Sequence, residues 1–593
     1  MARRDSGWYR YEPLEPNQIR LVHLHAGTPM SPLQCSLTSH TLNDHLVFEA
    51  LSYTWGDPRN VSDIHCDNKA IQVTRNLTDA MIHLRRETEE RTFWIDAICI
   101  NQGDVNERSV QVQLMGQIYK QATSVLVWLG NPTEDSSSAF NLMDQLHRLA
   151  KETAVEDLDR PIPKESDLLE TLPKVNDPAW KALDSLLWRP WFSRAWIIQE
   201  IAMSRSARVF CGDDNISWHD FLVVIDFLNR RFLTFLVNLD LGVAYPIRAI
   251  YYYCRGESYR PLTTLLSMAR RSLAGNPCDK VYALLGLASD SPIIPDYRLQ
   301  VTEVYQAVSR TLLLQSLDVL SLVGPPRWKA IDGLPSWVVD CSLALLERPY
   351  LFSSGRPFNA CGSTTQSPRF SADGKSLFVQ GVLFDRVALH GTTNINPNVT
   401  SDAGYAGVST RGLGEMWDGA FSITTVRRFR YWERLVLRLK YYPTGEPIES
   451  VLHRTMIADY LGNMTDSLAT ASLAEHYGAF RRHTVKFPGE KVQIGSITGE
   501  LGENYNKIYS AATTSATVGR RLFTTKKGYA GLGPSATRVA DCVVFLAGGR
   551  TAYIVREEKV PGTYTFLGEA YVHGIMDGEA FQGRYTLQEF QIV

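Results

Sequence analysis

The sequence predicts an α/β protein: a parallel sheet flanked by helices, then a mainly helical region, then a small C-terminal antiparallel β unit. Three observations predict this class. Strand-like and helix-like segments alternate over the first half of the chain, which is typical of parallel sheets. Apolar residues at helical spacing dominate residues 303–314, 431–442 and 455–480. From about residue 521 onward, short apolar runs are separated by Gly and Pro, which favours antiparallel strands.

In the first half, buried strands are predicted from apolar runs that end at turn residues, at residues 19–24, 48–53, 92–100 and 124–129, with a hairpin at 64–73. Helices are predicted from apolar residues at helical spacing, at residues 76–86, 107–122 and 191–203. Asn76 is the predicted N-cap of the first of these helices. An insertion of roughly sixty residues, polar around residues 152–174, follows the strand at 124–129 and precedes the last helix.

The length of the chain predicts several domains. Its 593 residues exceed the roughly 250 to 300 residues at which single hydrophobic cores stop growing. We predict a domain at residues 1–290, a mixed, mainly helical region at 291–500 and a β-rich unit at 501–593. Residues 353–371, rich in Ser, Thr, Gly and Pro, are expected to form a loop within the middle region.

The charge balance argues against nucleic acid as a partner. There are 61 Lys and Arg residues against 63 Asp and Glu residues, a net charge of -2, so no general attraction toward phosphate exists. The basic run at residues 427–430 is short and interleaved with aromatics, which favours a solvated helix face over a binding patch.

The chain also lacks the pattern of a secretory signal or a membrane span. The most apolar stretch, residues 232–253, is interrupted by Asp240, Pro246 and Arg248. Nine cysteines occur singly, without a CxxC pair, which is typical of reduced thiols and predicts neither a disulfide framework nor a zinc site. We therefore expect a soluble cytoplasmic protein without a bound metal or cofactor.

Three motifs occur in one order along the chain. They are ALSYTWGDP at residues 50–58, FWIDAICINQ at residues 93–102 and WFSRAWIIQE at residues 191–200. Together they resemble the fungal heterokaryon incompatibility (HET) domain, with its core motifs within residues 48–201. DKVYALLGL at residues 279–287, LPSW at 334–337 and segments near 531–534 and 571–579 resemble parts that follow the core in such proteins. The resemblance implies a fungal protein whose activation harms or kills its own cell.

The resemblance also implies a fold and a chemistry. HET domains are similar to TIR domains, which are flavodoxin-like α/β modules of cell-death signalling, and some TIR domains hydrolyse NAD. The alternation of strands and helices predicted above agrees with such a relationship. A Trp followed four residues later by a Glu agrees with it as well, and here these are Trp196 and Glu200. Glu200 is accordingly the candidate catalytic carboxylate, and NAD is a possible substrate rather than a cofactor.

The positions of polar residues indicate where a ligand would bind. Open parallel sheets bind ligands outside the carboxyl ends of their strands. The candidate substrate-binding residues at two such ends are Ser52, Tyr53, Trp55 and Asp57 on one rim, and Asp96, Asn101 and Gln102 on the other. On one helical face, Ser193, Trp196 and Glu200 are expected to point together, which would hold a carboxylate beside an aromatic plane. Trp196 is a further substrate-binding candidate, whose aromatic surface would stack on the base. Such a carboxylate can stabilise an oxocarbenium-like transition state.

Each of these residues has an alternative interpretation. The tryptophans of the motifs are compatible with ordinary core positions, and Asp96 with a turn cap or an ion pair with Arg108. Glu200 is compatible with an ion pair to Arg194 or Arg205. Three functions therefore remain open. The first is an effector that hydrolyses NAD, and the second is a non-catalytic module that acts through self-association or through binding an incompatibility partner protein. The third is a HET-like protein recruited to another cellular task, such as a biosynthetic gene neighbourhood.

Overall fold

The computed structural model describes residues 7–43, 45–152, 171–230, 239, 241, 244–256, 259–343, 347, 349–353, 358–365, 367–392, 423–461, 472–483, 500–582 and 585–593. Contacts within the chain divide it into two compact units, Met1–Gln300 and Val301–Val593. The domain boundaries predicted near residues 290 and 500 stay predictions.

The first unit consists of one large sheet and its flanking helices. Its strands are β1 (Gln18–Leu24), β2 (Gln34–Thr41), β3 (Glu49–Tyr53), β4 (Val61–Cys66), β5 (Lys69–Thr74), β6 (Arg91–Trp94), β7 (Val125–Trp128), β8 (Ala207–Cys211) and β9 (Asp214–Ser217). Its helices are α1 (Arg75–Leu84), α2 (Asp96–Cys99), α3 (Val105–Gln121), α4 (Ser136–Glu152), α5 (Pro178–Leu187), α6 (Trp196–Ala202), α7 (Trp218–Arg230), α8 (Ala244–Arg255), α9 (Leu262–Met268) and α10 (Asp279–Leu285). A short 3-10 helix, Pro190–Ser193, precedes α6.

The nine strands lie in the order β5-β4-β2-β1-β6-β3-β7-β8-β9. The central strands β6, β3, β7 and β8 run parallel, and β1 and β9 join them antiparallel at either side. All four residues of β7 are buried, as expected for a strand covered on both faces. The predicted parallel sheet with flanking helices is therefore confirmed, as the centre of a larger mixed sheet.

The strand predicted at residues 92–100 is wrong in its second half. β6 ends at Trp94, and residues 96–99 form the single helical turn α2. The Asp96 carboxylate accepts a hydrogen bond from the backbone N–H of Ala97 (2.7 Å), which stabilises the start of this turn. A short apolar run is equally compatible with a buried strand and a buried turn, so periodicity alone did not separate them.

The single helix predicted at residues 191–203 is also wrong. Arg194 is extended, with φ -73° and ψ 142°, and separates the 3-10 helix from α6. The extended backbone is held by a partner segment: Ala195 N–H donates to the Leu273 carbonyl (2.8 Å), and Leu273 N–H donates to the Ser193 carbonyl (2.5 Å). Ser193 therefore does not share a helical face with Trp196 and Glu200.

Asn76 is not the N-cap of α1. The helix begins at Arg75 with Thr74 as its N-cap, and Asn76 lies inside the first turn. Its side chain is used elsewhere: Nδ2 donates to the Thr54 carbonyl (2.5 Å), and Oδ1 accepts from the Trp128 indole N–H (3.1 Å). Asn76 thus links the loop after β3 to the end of β7.

Other parts of the sequence prediction differ in extent. Strands β2, β8 and β9 were missed. Helices α4 and α5 lie in the predicted insertion, and residues 153–170 of its polar part lie outside the described residues. In the second unit, the helix predicted at 303–314 is present as α11 (Val301–Gln315). The loop predicted at 353–371 is described only in part and ends in strand β10, Arg369–Phe370.

The second unit combines helices with a closed ring of strands. Its further helices are α12 (Tyr350–Ser353), α13 (Ile423–Leu437), α14 (Ile448–Thr455), α15 (Leu473–His483) and α16 (Glu500–Thr517), with 3-10 helices Leu317–Leu322, Pro326–Trp328 and Glu579–Phe581. Its further strands are β11 (Leu377–His390), β12 (Arg520–Thr525), β13 (Ala530–Pro534), β14 (Cys542–Leu546), β15 (Ala552–Glu557), β16 (Thr563–Val572) and β17 (Leu587–Ile592).

The ring is closed by the long strand β11, which the sequence analysis missed. The strands follow the order β11-β12-β13-β16-β15-β14, and β11 also pairs with β14, so the last strand returns to the first. All the pairings within the ring are antiparallel, which confirms the predicted C-terminal antiparallel unit.

One hydrophobic core joins the helices and strands of the second unit. Trp432 on α13 and Phe480 on α15 belong to the same buried cluster as Phe523 on β12 and Val543 on β14. The segment predicted as helical at 455–480 is confirmed only in its last part, because α14 ends at Thr455 and α15 begins at Leu473; residues 462–471 lie outside the described part. Among the described residues of both units, no helix is long and apolar enough to cross a membrane.

Candidate functional site

The sheet of the first unit brings the ends of β3 and β6 together. The two strands are parallel neighbours, with Ala50 opposite Trp94, so the residues that follow them meet at one edge of the sheet. Ser52 and Tyr53 end β3, and Asp96 follows β6. Helix α6 brings Glu200 to the same place, where it contacts Ser52.

Glu200 is the centre of a buried hydrogen-bond chain. The Ser52 hydroxyl donates to Glu200 Oε2, and the Trp191 indole N–H donates to Ser52 Oγ (2.8 Å). Only 2% of Glu200 is exposed, and Ser52 and Trp191 are equally inaccessible. The aromatic residue bonded to this chain is Trp191, which the sequence analysis treated as a possible core residue, rather than Trp196.

Burial changes the acidity of this carboxyl. It raises the pKa of Glu200 from 4.5 to about 7, because the charged form loses its hydration. The positive charge of Arg194 and the hydrogen bond from Ser52 act in the opposite direction, and the negative charge of Asp96 adds to the rise. Near neutral pH the Glu200 carboxyl is therefore divided between its neutral and charged forms.

Arg194 holds the cluster together. Its guanidinium donates to the backbone carbonyl of Tyr53, at the end of β3. Its charge also acts on the carboxyls of Glu200, Asp96 and Asp279, where it opposes the rise in pKa that burial causes. The sequence analysis named Arg194 only as a possible ion-pair partner of Glu200. Its place within the third motif was the available signal for a wider role.

Asp96 and Trp55 form the outer rim of the cluster. The Trp55 indole N–H donates to Asp96 Oδ2 (2.8 Å), and Trp55 is 39% exposed. Burial raises the pKa of Asp96, although the charge of Arg194 and hydrogen bonds from its neighbours, Trp55 among them, oppose the rise. Asp96 thus connects the buried Glu200 region to the surface, and Gln102 supports it by donating to the Asp96 carbonyl (2.9 Å).

Tyr53 has a buried ring within this cluster. Burial raises the pKa of the Tyr53 hydroxyl well above its usual value, and the carboxyls of Asp96 and Glu200 add to the rise. The neighbouring Tyr119 hydroxyl donates to the Leu51 carbonyl (3.2 Å). Burial raises the pKa of Tyr119, and the charge of Glu200 adds to the rise. Both phenols are therefore neutral near pH 7.

Two of the predicted binding residues make local contacts instead. Asp57 is exposed and forms an ion pair with Arg59 (2.9 Å), and the hydrogen bonds from Arg59 lower the pKa of Asp57. Asn101 accepts from Gly103 N–H (3.3 Å) through its side chain, and its own backbone N–H donates to Glu107 (2.7 Å). The structure therefore groups Ser52, Tyr53, Trp55, Asp96, Gln102 and Glu200, and leaves Asp57 and Asn101 in turn contacts.

Trp196 is also half-buried, but its polar neighbour is a different carboxyl. Hydrogen bonds from Tyr297 and Trp196 oppose the effect of burial, which raises the pKa of Asp279. The Tyr297 hydroxyl donates to Asp279 Oδ1 (2.6 Å), and the Arg108 guanidinium lies over the Tyr297 ring (4.2 Å from its centroid). The Trp196 indole thus contacts Asp279, whereas Glu200 is hydrogen-bonded to Ser52.

Helix α6 is hydrogen-bonded to Gly286 through the side chain of Gln199. The Gly286 backbone N–H donates to the Gln199 side-chain oxygen (3.1 Å), and Gln199 is 1% exposed. A Cβ atom on Gly286 would lie 2.4 Å from that oxygen, closer than side chains tolerate. The glycine of the DKVYALLGL motif thus allows this close approach to α6, the helix that carries Glu200, and a larger residue would displace the Gln199 side chain.

The loop after α2 is fixed by a buried ion pair. Arg20 on β1 pairs with Glu107 (2.6 Å) and also donates to the Cys99 carbonyl (2.9 Å). Arg20 is 2% exposed, so loss of either partner would leave a buried charge. Within the described residues, no group of three or more His, Cys, Asp or Glu side chains could hold a metal ion.

These features define an α/β domain with a buried carboxyl cluster at the carboxyl ends of parallel strands. Comparison with known proteins finds two family models that match parts of the chain. Residues 48–200 match the family model described as heterokaryon incompatibility protein (HET), and residues 491–593 match the Het-6 beta-barrel domain. The resemblance of the motifs to the HET domain is therefore confirmed.

A relative extends the similarity beyond these two regions. The chain is 26% identical to "Heterokaryon incompatibility protein 6, OR allele" of Neurospora crassa, over 95% of this chain and 94% of that protein. No solved structure matches the chain. The Glu200 cluster lies within the HET region, and the closed ring of strands lies mainly within the barrel region.

Proposed function

We propose that this protein acts in heterokaryon incompatibility and that its HET domain harms the cell by hydrolysing NAD. The first part is supported by the HET match and by the name of the Neurospora relative, whose similarity spans nearly the whole of both chains. The choice of NAD derives from the relationship to TIR domains. Such an effector would act in the cytoplasm, where its substrate is found.

The observation that carries the chemistry is the Glu200 carboxyl, held almost out of water beside Arg194 and Asp96, with a pKa of about 7. Hydrolysis breaks the bond between ribose C1′ and the nicotinamide nitrogen, which leaves with the bonding electron pair. Water adds its oxygen to C1′ and releases one proton, giving ADP-ribose and nicotinamide. A charged carboxylate in a water-poor site stabilises the positive charge that develops on the ribose.

The neighbouring residues have complementary roles in this proposal. Asp96 accepts hydrogen bonds from ribose hydroxyls, and the half-exposed indole of Trp55 stacks on an aromatic ring of the substrate. Ser52 and Trp191 orient Glu200, and Arg194 limits the rise in its pKa. Because Glu200 is 2% exposed, the substrate reaches it only after the Trp55 and Asp96 rim opens. An effector that is silent until activated has this property.

A second function is favoured by the same burial. A carboxyl that is 2% exposed and bonded to Ser52 also fits a purely structural role, in which it joins α6 to β3. The HET domain would then act without catalysis, through self-association or through an incompatibility partner protein. The two functions differ in what the charge of Glu200 does.

The test compares Glu200→Gln with the wild type. We expect nicotinamide release by the purified protein at high concentration, reduced at least about 100-fold in Glu200→Gln, together with loss of toxicity in cells. Glu90→Gln is the matched control, because Glu90 is half exposed and its ion-pair partners among the described residues are histidines (3.3 Å to His23). Circular dichroism establishes that all three proteins are folded. Equal toxicity of wild type and Glu200→Gln, without nicotinamide release from either, would contradict the enzyme hypothesis and support the non-catalytic module.

A further inference from the structure

A polar cavity lies at the same end of the sheet as the Glu200 cluster, with side chains that this cluster does not use. Its volume is about 320 Å³, at the lower end of the range for small-molecule sites. It lies between the loop that follows β7 and helix α5, and Arg189 with three hydroxyl residues, Thr133, Ser136 and Ser185, lines it. The sequence analysis singled out none of these residues.

Arg189 has only neutral partners. Its guanidinium donates to the Asn131 carbonyl (3.0 Å), and its Nη2 lies 3.4 Å from both the Thr133 and Ser136 hydroxyls. In the part of the chain that the structure describes, Arg189 makes no ion pair. A guanidinium that faces a cavity without a carboxylate partner is suited to a planar oxyanion, and above all to phosphate.

The backbone around the cavity adds to this preference. Helix α4, of 17 residues, begins at Ser136, directly after the loop that leaves the carboxyl end of β7. The partial positive charge of its first turn therefore lies beside Arg189 and its hydroxyl partners. Ligands of sheets with this arrangement bind outside the carboxyl ends of the strands.

The rest of the cavity lining suits the organic group of a phosphate ester. Ala182 and Leu186 on α5 supply buried apolar surface, and the exposed Asp135 accepts a hydrogen bond from the Thr133 hydroxyl (2.6 Å). A second acceptor site on Asp135 remains for a sugar hydroxyl, and solvent screens its charge from the phosphate. A free phosphate ion would leave most of the cavity empty.

We propose that this cavity binds a nucleoside monophosphate or similar sugar phosphate, with the phosphate on Arg189 and the sugar toward Asp135. The site is separate from the proposed NAD chemistry, since it uses none of the residues around Glu200. The 3-10 helix that begins at Pro190 connects them, because Trp191 donates to Ser52.

The test measures binding of AMP, inorganic phosphate and adenosine by calorimetry at constant ionic strength. We expect AMP to bind more tightly than inorganic phosphate, and adenosine not to compete. Ser185 is exposed and lines the cavity, so Ser185→Glu introduces a charge without removing a buried contact. It should weaken AMP at least about tenfold by repulsion, whereas the neutral Ser185→Gln should change the affinity less than about threefold.

Further variants test whether AMP binds at Arg189. Arg189→Gln should lose AMP binding, while the surface control Arg86→Gln, whose arginine pairs with Glu89 (2.5 Å), should keep it. Glu200→Gln should also keep it, which separates this result from the proposed NAD hydrolysis. The proposal is overturned if the wild type binds neither AMP nor phosphate, or if Ser185→Glu binds AMP as the wild type does. Equal affinity for phosphate and AMP would overturn the nucleotide assignment.

Discussion

The Glu200 carboxyl is buried away from water, although its charged form is stabilised by hydration. The raised pKa makes the stability of the first unit depend on pH. The folded state holds a proton on Glu200 up to about pH 7, whereas the unfolded chain releases it near 4.5. Between these values the folded state binds more protons, so the stability falls as the pH rises. Below about 4.5 the group has no such effect, and above about 7 the loss is complete.

We predict that Glu200→Gln removes this part of the pH dependence. The difference between 4.5 and about 7 corresponds to about 3 kcal/mol, so the wild type should lose that much stability relative to Glu200→Gln between pH 4.5 and 7.5. Urea unfolding at several pH values measures this loss. The transition of the first unit is the one that the core substitution Val127→Ala in β7 shifts to a lower urea concentration.

Glu90→Gln, at the surface of the same unit, is the control and should keep the pH dependence of the wild type. A Glu200→Gln protein with the same pH dependence as the wild type would contradict the assignment. Glu200 would then be charged in the folded state throughout this range.

The residue scale also shows what the motifs alone could indicate. Ser52, Asp96 and Glu200 were predicted as site residues from their positions at strand ends or on a helix, and the structure brings them into one cluster. Asp57 and Asn101 share the same motifs but bond to Arg59 and Gly103. Position in a motif did not separate the two groups, because a turn residue and a binding residue have the same polar side chains.

At the scale of elements, Asn76 has a larger role than the predicted cap. Its amide joins three elements: α1, on which it lies, the loop after β3 through Thr54, and β7 through Trp128. Both contacts lie beside the end of β3, where the site begins. Helix caps and bridging amides call for the same residue type, so the sequence did not distinguish them.

We predict that Asn76→Ala lowers the stability of the first unit by about 2 kcal/mol, because it leaves the Trp128 indole and the Thr54 carbonyl without their partner. Asn76→Ser should cost about as much, since serine caps helices well but does not reach both groups. Urea unfolding of the two variants measures this. Asn106→Ala, at an exposed position of α3, serves as control. A fully stable Asn76→Ser protein would restore the capping role.

At the scale of the whole molecule, the chain consists of two compact units, each with its own hydrophobic core. The boundary lies at Gln300, beyond the DKVYALLGL motif, whose Gly286 packs against α6. A fragment that ends at the last HET motif, near residue 200, would therefore lose β8, β9 and the support of α6.

We predict that residues 1–300 fold alone, whereas residues 1–205 do not. The longer fragment keeps all nine strands of the sheet and the Gly286 contact with Gln199, and the shorter one loses both. Calorimetry of the two fragments should show a cooperative transition only for residues 1–300, at a temperature within a few degrees of one transition of the full chain. Absence of a transition in residues 1–300 would show that this unit depends on the rest of the chain.

The sequence by itself determined the class of the first unit, the resemblance to HET proteins and most of the segments that carry the site. Alternating strands and helices and the three motifs depend on local periodicity and composition, which are readable without a structure. It did not determine the mixed sheet around the parallel centre, the closure of the second sheet by β11, or the division of the helix at Arg194.

Only the tertiary structure decided which polar residues meet. The pairing of β3 with β6 and the packing of α6 against Gly286 bring Glu200 to Ser52, although 148 residues separate them in the chain. The same packing removes Glu200 from water and raises its pKa to about 7. Burial and long-range contact are properties of the assembled core, whereas a sequence pattern describes neighbours within one or two turns of the chain.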